Sequence, residues 1–291
     1  MRGHNVLVKK QPNRRSEQYI YGNYRNYYES RRGNQITVDH RLDMLDPSLF
    51  KGKRVLDIGC NSGNITTVIG LQHKPTHILG VDIDESLIKQ AEKQLRLVNS
   101  LHNPHGDNAT DVHMRFHYFP RALSSTFGFI AMNMPPNHKS TEFPYNVKFK
   151  AKDWLDDDDD DGSAEQDGKK RKGNKQKKIR YDTVLALSIT KWIHINRGDE
   201  GMKEFFNKVY KVLNPGGAFV VEPQEFDTYE RRAKLNETTQ AVFKSIEFRP
   251  EQFHDYLMKE VGFSKFEDLG SSGEKRKGKA VRIGLVLVCM Y

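Results

Sequence analysis

Cysteine is scarce in this chain: Cys60 and Cys289 are the only two in 291 residues. Two are too few for a disulfide framework or a cysteine-rich metal cluster. No apolar run approaches the roughly 18 residues needed to span a bilayer. The N-terminal stretch MRGHNVLVKKQPNRR also lacks the continuous apolar core of a signal peptide. A soluble protein of nucleus or cytoplasm, with no membrane association, is the expectation. His102, His105, His113, His117 and His138 are scattered without regular ligand spacing, so no metal site is expected. What the chain has in excess is positive charge: +9 net, despite six consecutive aspartates at 156–161. Such a surface suits a polyanionic partner, nucleic acid foremost, although charge also serves solubility alone.

Residues 54–84, RVLDIGCNSGNITTVIGLQHKPTHILGVDID, read as strand, glycine-rich turn, helix, strand and closing carboxylate. Gly59 and Gly63 follow Asp57 in the pattern D-x-G-x-x-x-G, where the backbone turns sharply and can approach a ligand closely. Asp82 ends the second strand, at the spacing of a carboxylate that accepts both hydroxyls of a ribose. The dinucleotide fingerprint G-x-G-x-x-G is absent, because position 61 is Asn and leaves a pyrophosphate no second glycine. A ribose ligand without pyrophosphate fits better, and S-adenosylmethionine is the commonest. Cys60 in this turn reads as a small packed side chain rather than a nucleophile.

Residues 1–18 read as a disordered basic arm. Residues 19–28, YIYGNYRNYY, carry five tyrosines and Arg25. They suit either an aromatic helix face on the core or a lid that stacks on bases and holds phosphates; Arg31, Arg32 and Arg41 tilt the balance to the lid. A second crossover helix is expected over 85–97, and little periodicity over 99–144 beyond a short strand at 115–119. A third strand is expected at 146–149. The acidic run 156–161 and the basic KKRKGNKQKK after it cannot bury apolar surface, so about 156–179 reads as a disordered charged loop, with a nuclear-targeting or RNA-contact role open to its basic half. The apolar run 181–189 is a central parallel strand, and Ser188, Thr190, Lys191, Trp192 and His194 follow at its carboxyl end, where doubly wound sheets bind ligands. A helix over 201–213, a stop at Asn-Pro-Gly-Gly, a strand over 218–221, a helix near 250–259 and strands near 263–269 and 281–290 complete the pattern. The expectation is a Rossmann-like α/β methyltransferase domain over 19–291, with a seven-stranded, mostly parallel sheet, an antiparallel edge strand and helices on both faces.

YGNYRNYY, VLDIGCNSGNIT, GVDIDESLI, LSITKWIHINRGDEGMKEFF, LNPGG and VVEPQEFDTY together resemble the methylphosphate capping enzyme family, the bicoid-interacting-protein type of RNA methyltransferase. The resemblance runs from about residue 19 to the C-terminus, with breaks at 100–144 and 156–179. It implies methyl transfer from S-adenosyl-L-methionine to the terminal (gamma) 5′ phosphate of a small non-coding RNA, leaving S-adenosyl-L-homocysteine. It further implies that Tyr21 and Arg31 cover the methionine end, that Gly59, Cys60 and Asn61 line the turn, that Asp82 holds the ribose and that Ile83 packs by the adenine. Asp153 and Trp154 stand where the family has an Asn-Tyr pair beside the adenine, and Leu187 lies near the sulfonium. Lys191 and Trp192 face the RNA 5′ end, with Tyr24, Arg25, Glu222 and Gln224 nearby. Lys191, Trp192 and Tyr21 position the acceptor, and no general base is needed.

Small nuclear RNA is the implied partner, telomerase RNA another, with a La-related protein beside it; the domain is expected to be nuclear and to act as a monomer. A second reading stays open at this point: a largely non-catalytic subunit that binds the RNA 5′ end in an RNA-protein particle. Methylation of a small molecule or a protein suits the basic surface and tyrosine-rich lid less well.

Overall fold

The computed structural model describes residues 21–22, 39, 41–102, 121–156, 179–276 and 279–287. The arm at 1–18, Tyr24, Arg25 and Arg31 of the tyrosine-rich segment, the strand expected at 115–119 and nearly all of the charged loop lie outside the described residues.

One sheet organises the molecule. Its strands are β1 (Arg54–Ile58), β2 (His77–Asp82), β3 (Val147–Ala151), β4 (Tyr181–Leu187), β5 (Leu213–Glu222), β6 (Lys265–Arg276) and β7 (Lys279–Leu287), in the order β3-β2-β1-β4-β5-β7-β6. All pairings from β3 to β5 are parallel, while β7 runs antiparallel to both β5 and β6. The antiparallel strand is therefore not at the edge. β6 enters parallel to β5 but one place away, and the tight hairpin returns β7 into the gap, so both sides of β7 are hydrogen-bonded.

The helices are α1 (Asn64–Val68, prolonged by a π turn, Ile69–His73), α2 (Glu85–Leu101), α3 (Arg121–Phe127), α4 (Thr190–Val212), α5 (Glu230–Ala233), α6 (Glu237–Ser245) and α7 (Phe253–Tyr256). Strand periodicity explains the two-sided core. Leu56, Ile58, Val184, Ala186, Phe219 and Val221 face a layer that holds Phe205, Phe206 and Val209 of α4. Their neighbours Val55, Leu185, Leu187, Ala218 and Val220 face Ile65, Ile69 and Leu95 on the other side. Alternate side chains of one strand point to opposite faces, so a continuously apolar strand is one covered twice.

Among the departures from the sequence expectation are the unforeseen α5 and α6 and the following four. α4 begins at Thr190, not near residue 201, because the Gly-containing stretch 198–201 is a kink within it: Gly198 has φ 66° and ψ −166°, outside helical values. Asn-Pro-Gly-Gly is taken into β5, with a register break opposite 181–183 and a hydrogen bond from Asn214 Nδ2 to Asp182 Oδ1 (2.8 Å). The stretch 99–144 contains α3, whose short, serine-rich sequence offers no apolar stripe. The basic linker between the last two strands is largely strand itself, since β6 reaches Arg276 and β7 starts at Lys279.

Candidate active site

A cleft opens at the carboxyl ends of β1, β2 and β4, where the crossovers on either side of β1 diverge to opposite faces. Its floor is the turn after β1. Gly59, Asn61 and Gly63 take φ of 74°, 53° and 70°, a left-handed backbone that glycine adopts freely and asparagine more readily than most residues. The amides of Gly59 and Cys60 both donate to the Val81 carbonyl (2.8 and 3.0 Å), fastening the turn to β2. A Cβ on Gly59 would lie 2.3 Å from Ile189 Cγ2, so glycine is required by contact as well as by φ. Beneath the turn, buried Asp57 accepts from Thr66 Oγ1 (2.6 Å) and ties it to α1. Burial raises the Asp57 carboxyl to about 6.

Asp82 stands at the cleft wall, 9% exposed. Its Oδ2 accepts from the Asn61 amide (2.8 Å) and its Oδ1 from the Asp84 amide (3.0 Å). Burial raises its pKa and these amides oppose the rise. Each carboxylate oxygen has two acceptor positions, so one amide apiece leaves capacity for a pair of hydroxyls. Ile83, 37% exposed, forms the neighbouring rim, and Leu187 lines the inner end. Across the cleft, the Lys152 amide donates to the Asp82 carbonyl (2.9 Å), which sets Asp153 and Trp154 opposite the turn. Trp154 is nearly buried, edge-on to Phe205 with ring centroids 5.8 Å apart.

Arg197 is a cleft residue that the sequence reading missed. It donates to Asp153 Oδ2 (2.7 Å) and grips Asp156 through both terminal nitrogens (2.6 and 2.7 Å). It therefore links Asp153 in the cleft lining to the first residue of the acidic run.

At the other mouth of the cleft, Tyr21 and Gly22 lie against Trp192. A Cβ on Gly22 would fall 2.2 Å from the indole ring, so the backbone itself rests on that face. Lys191 reaches Thr228 Oγ1 (3.2 Å) and lies 5.8 Å from the Trp192 ring centroid. Burial, aided by the charges of Arg232 and Arg231, lowers the Lys191 ammonium to about 8.

Several expected site residues are placed differently. The Cys60 side chain is buried under the sheet, close to Gly80, and burial pushes its thiol up; only its backbone belongs to the turn. Glu222 does not face an RNA surface: it is 1% exposed and accepts from Arg41 Nη1 (2.7 Å) and Ser188 Oγ (2.5 Å). Gln224 is occupied in capping α4, accepting from Thr190 Oγ1 and the Lys191 amide, both at 2.9 Å. His194 is fully buried among Tyr229, Phe248 and Phe253, and pairs with Asp199 (2.8 Å) across the α4 kink. The α4 backbone turns it away from the strand end that Lys191 and Trp192 occupy.

Comparison with known proteins agrees with this geometry. The profile of a methyltransferase domain matches residues 49–102, and that of Bicoid-interacting protein 3 (Bin3) matches residues 181–286. A probable RNA methyltransferase of Arabidopsis thaliana is 35% identical over 260 residues, covering 88% of this chain and 76% of that protein. The chain belongs to the Bin3 family. A U6 snRNA methylphosphate capping enzyme of Drosophila melanogaster is 33% identical, over 87% of this chain and 69% of its own length. The human 7SK snRNA methylphosphate capping enzyme is 35% identical over 91% of this chain, which spans 39% of that protein. The fold of this Bin3-family chain is that of a class I methyltransferase, and S-adenosylmethionine is the cofactor its cleft is built for. The residues fit: a left-handed turn that lets the backbone approach, a carboxylate with two open acceptor positions, and an apolar wall of Ile83, Leu187 and Trp154.

Proposed function

We propose that this chain methylates the terminal 5′ phosphate of a small non-coding RNA. The observation that carries the reading is Trp192 in the lining of the cofactor cleft with two cations against its ring, Lys191 and Arg232, each 5.8 Å from the centroid. S-adenosylmethionine supplies an electrophilic methyl on a sulfonium, and S-adenosyl-L-homocysteine leaves. A terminal phosphate has its second pKa at about 6, so it is already the nucleophile at neutral pH and no side chain need take a proton. The residues must hold an anion about 3 to 3.5 Å from the methyl carbon and offset its charge while water is excluded. Lys191 suits the charge. Trp192 suits stacking on the first base, a contact worth about 1 to 3 kcal/mol. The relatives' names, snRNA methylphosphate capping enzymes, support a small nuclear RNA as acceptor. The family resemblance extends the proposal to RNA retained after transfer beside a La-related protein, to a monomeric catalytic unit and to a nuclear location; the basic KKRKGNKQKK stretch also suits the last of these.

Labelled S-adenosylmethionine with short RNAs bearing a 5′ triphosphate, monophosphate or hydroxyl tests the proposal. Label on phosphorylated ends alone supports it, and label on the hydroxyl RNA sinks it. Lys191→Ala is expected to lower kcat/KM for RNA by about 10- to 100-fold, the scale of a lost charge-assisted phosphate contact. Cofactor affinity, read by titration calorimetry, should stay within about twofold, and a matching loss of both would contradict the role.

The depressed Lys191 pKa adds a pH dependence. Its ammonium faces Thr228, Arg231, Arg232 and Glu222. The charged form prevails below pH about 8 and is lost above it, while the phosphate needs pH above about 6 to carry its second charge. Transfer should therefore peak between these limits. Lys191→Arg, whose guanidinium does not titrate, should remove the alkaline fall. A fall that persists unchanged in that variant assigns it to another group.

A further inference from the structure

Among the described residues no helix follows β3, and Asp153, Trp154 and Leu155 form the cleft wall opposite the glycine turn by themselves. α4 straps this wall down at two places. Lys208 donates to the Leu155 carbonyl (2.9 Å) and lies 5.2 Å from the Trp154 ring centroid. About three turns earlier on the same helix, Arg197 donates through Nη2 to Asp153 Oδ2 (2.7 Å), and Asp156 accepts from both its terminal nitrogens (2.6 and 2.7 Å). The helix makes room for that guanidinium. Gly198 breaks the helical backbone directly after it, and a Cβ on Gly201 would lie 2.3 Å from Arg197 Cβ. The Leu155 amide donates to Asp153 Oδ1 (3.1 Å). A carboxylate held at one oxygen by a guanidinium and at the other by an amide has a fixed orientation, with acceptor capacity still open on each oxygen.

Resting on the S-adenosylmethionine assignment, we propose that Arg197 is a positioning residue for the cofactor, fixing the Asp153 carboxylate where it accepts from the exocyclic amine of the adenine. The Lys152 amide is bonded to the Asp82 carbonyl, so a base on the ribose held by Asp82 is carried past Ile83 toward Asp153. Adenine presents one outward donor group, that amine, and an ionised carboxylate only accepts. The two-nitrogen grip on Asp156 sets the plane of the guanidinium, and the guanidinium in turn sets the carboxylate. Arg197 and Asp153 are 31% and 30% exposed and Asp156 66%, so the cluster adds little to folding stability. Lys208 and the packing of Trp154 on Phe205 hold the wall without it. What Arg197 controls is the aim of one acceptor in the cleft.

The experiment uses the whole chain without RNA, so its outcome is independent of the terminal-phosphate reading. Calorimetric titration measures S-adenosyl-L-homocysteine and its analogue in which hydrogen replaces the exocyclic amine. The wild type should bind the amine-bearing ligand about tenfold or more tightly than the analogue. Arg197→Met should lose most of that preference while binding the analogue within about threefold of the wild type, and its thermal unfolding should be nearly unchanged. Arg197→Lys, which keeps one charged donor, should recover part of the preference. In an Asp153→Ala background, Arg197→Met should add less than about a twofold loss, because the group it acts through is gone. A wild type indifferent to the amine overturns the proposal, as does an Arg197→Met variant that weakens both ligands alike or neither. A loss that persists in full in the Asp153→Ala background overturns it too, since Arg197 would then act by another route.

Discussion

Asp82→Ala is expected to reduce S-adenosylmethionine affinity by on the order of 100-fold or more while the chain stays folded. A carboxylate that accepts two ribose hydroxyls makes two charge-assisted hydrogen bonds, each worth about 1.5 to 3 kcal/mol. Their loss costs at least about 3 kcal/mol, or roughly two powers of ten. A second effect adds to it. The same carboxylate accepts from the Asn61 and Asp84 amides, so its removal loosens the left-handed turn that lets the backbone approach the ligand. Asp82→Asn should fall between the two, since it keeps the shape and one acceptor but turns a donor toward a hydroxyl or an amide. Calorimetric titration gives the affinity, and thermal unfolding of the ligand-free protein separates it from stability. Cofactor affinity unchanged in Asp82→Ala would remove Asp82 from the ribose site.

That residue could be found in the sequence because everything that positions it is local. The turn and both flanking strands lie within some thirty residues, and hydrophobic period plus glycine placement specify them. The same holds for β4, whose unbroken apolar run announces a strand covered on both faces. What sequence reasoning missed depends on contacts between distant segments. Arg197 reaches Asp153 from 44 positions away, and nothing in its own neighbourhood, Asn-Arg-Gly-Asp, distinguishes it from a surface arginine. Glu222 looked like part of an RNA-facing Glu-Pro-Gln motif, and only its partner 181 positions upstream makes it a buried structural carboxylate. Arg232 has nothing in its own neighbourhood to mark it until the packing of Tyr229 turns it toward Trp192. The start of α4 was obscured by the two glycines at its kink, which read as a boundary although only Gly198 departs from helical geometry.

The largest stability effect is expected at that long-range pair. Arg41 is 2% exposed and Glu222 1%. Arg41 binds Asp39 through Nε and Nη2 (2.9 and 2.7 Å) and Glu222 through Nη1 (2.7 Å). Arg41→Met removes the guanidinium from two carboxylates at once and leaves Glu222 deep at the end of β5, with Ser188 Oγ still donating to it. Breaking one side of a buried pair costs about 3 to 5 kcal/mol, because a charge is left without compensation. Glu222→Gln alone should cost less: Arg41 keeps Asp39, and the amide oxygen can still accept from Ser188. The double variant, Arg41→Met with Glu222→Gln, should recover about 1 to 3 kcal/mol relative to the sum, since the uncompensated carboxylate is gone. Denaturant unfolding of the four proteins closes this cycle, and additive costs would show that the two side chains act independently. The network also matters for transfer, because Ser188 holds φ at 62° where β4 meets the cleft, and its hydroxyl is bonded to Glu222. A non-glycine residue keeps that backbone only when its surroundings over-determine it. Glu222→Gln should therefore slow methyl transfer more than it weakens cofactor binding, as Ser188 and the α4 N-terminus carrying Lys191 and Trp192 lose their common anchor.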